Sequence, residues 1–550
     1  MSGISSMEGV SRVIPGRTFR SVACALCLAL GLGSLIFGTS AEGGAASRRI
    51  DSSQIPTWSP DDLEFFLHGS MGTEVIPVRV FGGFVGAFPD LFGGGDVAAF
   101  GLIGDEASDF PIGVSSAVVQ HLGGVSAIGV NCASCHLGEV GLPGKPPIRV
   151  VGMTSHFDAE AFFGAVTVAM LRSAEPNGMM RFLKHYVLAG GLGDVGAVEA
   201  SINRQIDKIE SVVRNNPFGS VGIKPGQLHK LDSAALAITP AEVIGGADLA
   251  PTVRALLRTF YNMRTALHLP AVLPSELPPP GGPGRNNAFG LLSQSLFGVA
   301  ITHAPVKFGL VWNVAERGWV HWDGNTQQPI ARNLAASLGL GAPIVDNRAL
   351  LDLALVQRHT ALTEMIRAPT YPRGWPLDTA AAKRGAAHYQ RHCAVCHDVE
   401  SKDPQARLHN PFVIGTDIRR ARQFDRRQEA LHDKLFRTLR ISGYTQGEAP
   451  PFRATGKYWA VDLAGVWARS PYLHNGSVRT MWELLSPAKN RAQTFWRGTS
   501  VYDPQHMGFV DDGSFRFDVS VPGNSNAGHE YGADLADNER RDLIEYLKTL

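Results

Sequence analysis

A mainly α-helical, loop-rich fold is what these 550 residues predict, and three observations carry the prediction. Apolar residues recur at helical spacing after a potential capping residue, Asp158: Phe162, Phe163, Val166, Met170 and Leu171 fall on such a repeat. Glycine (61) and proline (34) make up about 17% of the chain, which is rich in loops but short of the roughly 25–30% that suggests disorder. A helical stretch runs straight into the cysteine pair Cys393 and Cys396, and another closes the chain.

Taken in order, Arg12, Arg17 and Arg20 precede an uncharged run from Ser21 to Gly38, and "TSA" at 39–41 offers small residues for cleavage. Residues 1–41 therefore read as a signal peptide. The run is somewhat short for a spanning helix, so no membrane span is expected after cleavage; an uncleaved anchor is the alternative. Cys24 and Cys27 fall inside this signal. Residues 42–60 are a loose Gly/Ala/Ser-rich lead-in, and 81–105 are too glycine-rich for long helices. Helix is expected over Asp158–Leu188 and again near 197–214, and "PSELPPPGGPGRNN" (274–287) is a loop or linker. From 305 the chain turns aromatic, with Phe308, Trp312, Trp319 and Trp322 close together. The stretch 377–397 is a short helix capped near Asp378 or Thr379. The last helix has Asp537 near its start, Glu539 in its first turn, and Leu543, Ile544, Leu547 and Leu550 on one face.

The chemistry lies in "NCASCHLGE" (131–139) and "HCAVCHD" (392–398). Both are C-x-x-C-H: Cys132, Cys135, His136 and Cys393, Cys396, His397. Two thiols at this spacing can add to the two vinyl groups of a porphyrin while the adjacent imidazole reaches the iron, so each copy predicts a covalent c-type haem with His136 or His397 as proximal ligand. A zinc module needs four ligands close in sequence, and a redox dithiol does not need the following histidine twice. Of six cysteines, two belong to the signal and four to the haems, leaving none for disulfides. Export and covalent haem attachment agree on a periplasmic or secreted protein. The net charge of +1 points to no nucleic acid or acidic polymer as partner.

A helix entering C-x-x-C-H plus a closing helix is the layout of a class I cytochrome c domain. Further segments carry a resemblance. "PYLHNGSVRTMWELL" (471–485) is similar to a segment of bacterial di-haem cytochrome c peroxidases. "WVHWDGN" (319–325), "ARNLAASLG" (331–339), "YDPQHMGF" (502–509) and "GNSNAGHEYG" (523–532) look like the rubber-oxygenase (RoxA) branch of that superfamily. The resemblance implies a mainly α, loop-rich fold with little β structure and two cytochrome c-like haem domains packed around an interface. The expected division is an N-terminal haem domain at 42–290, a connecting region at 291–375 and a C-terminal haem domain at 376–550.

It also implies roles. The N-terminal haem is the reactive one, taking O2 at an apolar distal position and cleaving an unsaturated apolar substrate, with polyisoprene the family's example. The C-terminal haem transfers electrons and carries two histidines. His529 is the first choice for its distal ligand, ahead of His474 and then Met507. Phe308, Trp312, Trp319 and Trp322 are the candidate distal wall of the first haem. His321, between two tryptophans, is either a sealing ligand or a hydrogen-bond donor there, sharing a face with Trp319 if the stretch alternates like a strand. Arg332 and Asn333 are candidates to anchor a haem propionate. In the peroxidase branch the scaffold reduces H2O2 with electrons from a small donor protein. That chemistry needs a distal acid/base, for which Glu106, Asp109, Glu316 and Asp323 are available, most of them expected to be solvated. A third possibility is a non-enzymatic carrier with both irons six-coordinate.

Overall fold

The first helix of the computed structural model, α1 (Pro60–His68), begins where Ser59 and Asp62 satisfy each other's backbone donors, with Pro60 supplying a preset φ at the first helical position. The structure describes residues 50–216, 228–269, 279–299, 303–398, 404–439 and 451–550. The expected signal segment and residues 274–278 of the expected linker lie outside these. Helix accounts for 46% and strand for 13%, the latter confined to small sheets. No helix of the described residues is long and apolar enough to cross a membrane.

Three strands, β1 (Ile76–Pro77), β2 (Val114–Val119) and β3 (Val125–Val130), form an antiparallel sheet in the order β1-β3-β2. Between β1 and β2, the glycine-rich stretch is helical through α2 (Val78–Ala87) and only then breaks into short turns. Gly83 makes this possible, because a Cβ there would meet the Phe182 ring at 2.6 Å. Close approach, not chain flexibility, is what that glycine provides. The chain leaves β3 into the short helix α3 (Cys132–His136), capped by the Asn131 side chain, and continues into β4 (Leu137–Val140), which pairs with β5 (Ile148–Val151).

Asp158 caps α4 (Ala159–Ser173), accepting from the Ala161 amide at 2.9 Å. The expected single helix over 158–188 is two, because Glu175 is extended and Pro176 opens α5 (Pro176–Leu188). A residue before proline is disfavoured in the helical region and proline cannot donate to the preceding turn. The stretch near 197–214 also divides, into α6 (Val195–Asn203) and α7 (Ile206–Asn215).

Three apolar cores result among the described residues. The first joins α2, α4, α5 and the Ala250–Ala266 helix through Phe81, Phe84, Phe162, Phe182 and Phe260. The second draws on distant parts of the chain, with Leu137 and Met153 beside Trp312, Trp467, Tyr502 and Leu543. The third packs Leu334 and Leu338 against Phe424, Phe436 and Phe452.

Near the C-terminus, Asp378 caps the Thr379–His392 helix as expected, and the Asp537–Leu547 helix crosses it. Gly385 is the crossing point: a Cβ there would lie 2.0 Å from the Asp542 carbonyl oxygen. Tyr389 and Tyr546 pack nearby with ring centres 5.1 Å apart and planes tilted by 48°, and Arg384 grips the Asp542 carboxylate with two bonds of 2.7 Å.

Candidate functional site

The two C-x-x-C-H turns head two separate clusters. In the first, α3 is held from both sides: the Asn131 amide donates to Gly113 and the Gly152 amide to the His136 carbonyl at 2.7 Å. Gly113 has φ +86, and a Cβ there would strike the Ser134 amide nitrogen at 2.1 Å, so only glycine lets β2 begin this close to the turn. Cys132 and Cys135 are free thiols. Burial pushes them up to about 11 and about 12.

The His136 ring faces Phe308, with centres 6.4 Å apart and planes at 64°. Its Nδ1 is buried, and the Gly309 backbone lies beside the ring as a hydrogen-bonding group. Burial, reinforced by Arg332, pushes the imidazole down to about 3, so it stands neutral and able to offer a lone pair. Arg332, on the Pro329–Gly339 helix, donates from Nε to Asn333 Oδ1 at 3.0 Å, and Asn333 is fixed in turn by Thr360. Its guanidinium acts on both Cys132 and His136 and forms no carboxylate ion pair among the described residues. That combination suits an incoming carboxylate.

The four aromatic candidates do not form one wall. Phe308 touches His136. Trp312 is fully buried behind it, against Gly152, with Nε1 donating to Ala464. Trp322 donates to the Lys307 carbonyl at 3.0 Å. Trp319 turns away to lie under Arg453, 3.6 Å from the ring centre. Nor does the stretch alternate like a strand: 321–324 form a turn, with His321 at φ +71. His321 Nδ1 pairs with Asn325 Oδ1 at 2.7 Å, and burial pushes the ring down to about 3. Arg420, Arg332 and His136 also act on it electrostatically, so it lies within reach of the groups around His136. Asp323 is buried in a two-bond pair with Arg420 at 2.8 and 2.9 Å, and Glu106, Asp109 and Glu316 are exposed.

In the second cluster, Nδ1–H of His397 donates to the Val461 carbonyl at 2.7 Å, which leaves Nε2 as the free lone pair. Opposite stands His529, its ring centre 6.3 Å away at 53°. An imidazole nitrogen lies about 1.1 Å from its ring centre and binds a metal ion at about 2.0 Å, so two rings flanking one ion are separated by roughly 6.2 Å. His529 is set by its backbone: φ is +51, its amide donates to Ile414 at 2.8 Å, and Arg491 binds the carbonyls of Asn526, Gly528 and His529. Its Nδ1 is buried without a partner. Cys393 and Cys396 flank His397 as half-buried free thiols. The residues present thus fit a c-type haem, which Cys393, Cys396, His397 and His529 would hold.

His474 is placed otherwise. The Tyr458 hydroxyl donates to Asp417, so it accepts from His474 Nε2–H at 3.0 Å, and the two rings stack at 4.3 Å. Met507 is buried in the second core. Among the described residues no three His, Cys, Asp or Glu side chains converge as a metal cluster, which leaves the two-thiol zinc alternative without its further ligands. Val461, Arg491 and Lys307 carry no sequence signal; their roles arise from contacts far along the chain. Lys307 is fully buried, donates to the Arg469 and Pro471 carbonyls, and has its own amide bonded to the His474 carbonyl.

Residues 456–497, between His397 and His529, match the RoxA-like, cytochrome c-like family. This cytochrome c-like match implies a c-type haem. Two proteins of Sinorhizobium fredii (strain NBRC 101917 / NGR234) are similar as well. Uncharacterized protein y4iJ is 29% identical over 358 residues, 49% of this chain and 60% of that protein. Uncharacterized protein y4iM is 32% identical over 283 residues, 44% of this chain and 63% of that protein. The chain thus spans less than two thirds of either relative.

Proposed function

We propose that the protein is an exported, periplasmic or secreted, di-haem c-type oxidoreductase of rubber-oxygenase type. The observation that carries the haem reading is the His397–His529 pair, with Val461 fixing the tautomer of the first ring. The second C-x-x-C-H provides the thiols beside it, and the first repeats the motif at His136. In this reading His136 and His397 are proximal ligands, His529 is the distal ligand of the C-terminal haem, and that haem serves electron transfer. Iron at His136 would supply dioxygen activation for oxidative cleavage of an apolar, unsaturated substrate.

The chain's own residues support this division of labour. Phe308 presents an apolar ring to His136, which shelters that side from water. Arg332, oriented by Asn333, supplies a guanidinium for a propionate. Peroxide reduction is the second reading. It asks for an unpaired distal acid, and of the four sequence candidates three are exposed while Asp323 is committed to Arg420.

Oxygen uptake by the purified holoprotein on polyisoprene latex, with neither reductant nor peroxide, tests the proposal. Uptake with aldehyde- and ketone-ended fragments is expected. No uptake, together with peroxide-dependent oxidation of a reduced small cytochrome, would replace it with the peroxidase reading.

A further inference from the structure

Beside the first C-x-x-C-H turn, a small cavity lies between the stretch that follows β5 and the C-terminal half of the chain. Thr154, Ser155 and His156 form one wall; Ser470, Arg479 and Arg497 are on the other. Its free space admits about one water-sized particle. Two of its lining side chains each hold a buried nitrogen with no partner, Nε of Arg479 and Nε of Arg497, and the buried His156 ring has the Thr499 backbone beside it.

The charge balance is uneven. Arg497 is 4% exposed, and its two Nη groups donate to the Gly476 and Pro283 carbonyls at 3.0 and 2.9 Å. It forms no ion pair with a carboxylate among the described residues. Asp158 acts on it from a distance, but that carboxylate caps α4. Arg285, buried nearby, opposes it with a like charge. Arg479 pairs with Glu483 at 3.0 Å through Nη2 and with the Phe509 carbonyl through Nη1, which still leaves its Nε toward the protein interior. A buried cation without a counter-charge is costly, and nearby N–H donors in low dielectric favour an anion.

We propose that this cavity binds one small monovalent anion of halide size, held by Arg497 and Arg479 with His156 completing the shell. The anion would tie the segment leaving the first C-x-x-C-H turn, where the Ser155 amide donates to the Cys135 carbonyl at 3.0 Å, to the C-terminal half.

Bromide is the probe. Crystals of the holoprotein soaked in bromide should show one anomalous peak within hydrogen-bond distance of both Nε atoms. Thermal unfolding in potassium bromide should exceed that in potassium gluconate of equal ionic strength by about 2 °C or more. Arg479→Gln should abolish that difference with haem content unchanged. This variant is chosen because Arg479 is the less buried of the two arginines, and His156→Gln, which should weaken the difference, serves as a second. A water alone in the cavity, a carboxylate of the prosthetic group in place of bromide, or equal melting in the two salts would each overturn the proposal.

Discussion

The imidazole rings of His397 and His529 face each other with their centres 6.3 Å apart, although 132 positions separate them in sequence. That spacing is within the range of ordinary ring contacts and is also the one two imidazoles would take on a shared metal ion, as the proposed C-terminal haem requires. On the proposed di-haem reading, replacing His529 with Ala should leave both thioether attachments in place but convert one of the two ferric haems from low to high spin, read by electron paramagnetic resonance and the visible spectrum. His474→Ala should leave the spin state alone, because its Nε2–H is already spent on Tyr458. The opposite pattern would make His474 the ligand.

At the first cluster the question is whether His321 seals the position opposite His136. With Nδ1 paired to Asn325, the His321 lone pair lies on Nε2, as it does for His397. The oxygen reading requires that this lone pair not bind iron. His321→Phe is then expected to leave the spin state of the His136 haem unchanged while slowing oxygen uptake. A switch from low to high spin in that variant would make His321 a ligand and turn the protein into an electron carrier.

Arg491 should act as a positioning residue. It binds three carbonyls, those of Asn526, Gly528 and His529, in the loop that carries His529. Arg491→Gln is expected to weaken the low-spin signal and broaden it, with part of the population turning high spin. Arg491→Lys, which keeps the charge but not the fork, should restore it only partly. A sharp, fully low-spin spectrum in both variants would show that the loop holds His529 without the guanidinium.

Gly385→Ala tests the helix crossing that frames the second cluster. The added methyl would meet the Asp542 carbonyl oxygen at 2.0 Å, so the helices must separate. A loss of roughly 1–3 kcal/mol is expected from forced repacking, read by denaturant unfolding. Unchanged stability would mean that the crossing is looser than the geometry indicates.

How much of this was legible beforehand follows from the range of the interactions. Caps are local, so Asp158 and Asp378 could be read from the residues around them. The C-x-x-C-H turns are likewise local, and His529 was reached by resemblance. The turn at 321–324 was not legible, because it is closed by the Asn325 and Thr326 side chains and by the Arg453 amide donating to the Asn325 carbonyl. Asp323 read as an available acid only because Arg420, 97 positions away, carries no signal of its pairing. The split of the expected 158–188 helix was foreseeable from Pro176, whose effect on Glu175 outweighs the apolar period on either side.

Acid should destabilise the fold through His432, whose aromatic cage shares Phe289 with His321. His432 is fully buried among Phe289, Phe297, Phe424 and Phe452, with Nδ1–H bonded to the Gln428 carbonyl at 2.8 Å. Burial pushes this imidazole down to about 4, from an ordinary value near 6.5. The unfolded chain therefore takes up a proton at a pH where the folded chain does not. Stability from this residue is complete above about pH 6.5 and is lost as pH falls from there toward 4, amounting to roughly 3 kcal/mol across the window. His432→Phe keeps an aromatic ring in the cage and removes the titrating group. Its unfolding free energy should fall less steeply between pH 6.5 and 4 than that of the parent, although the lost bond to Gln428 lowers it by about 1 kcal/mol at pH 7. Parallel pH profiles for parent and variant would mean that His432 is protonated as readily in the folded chain as in the unfolded one.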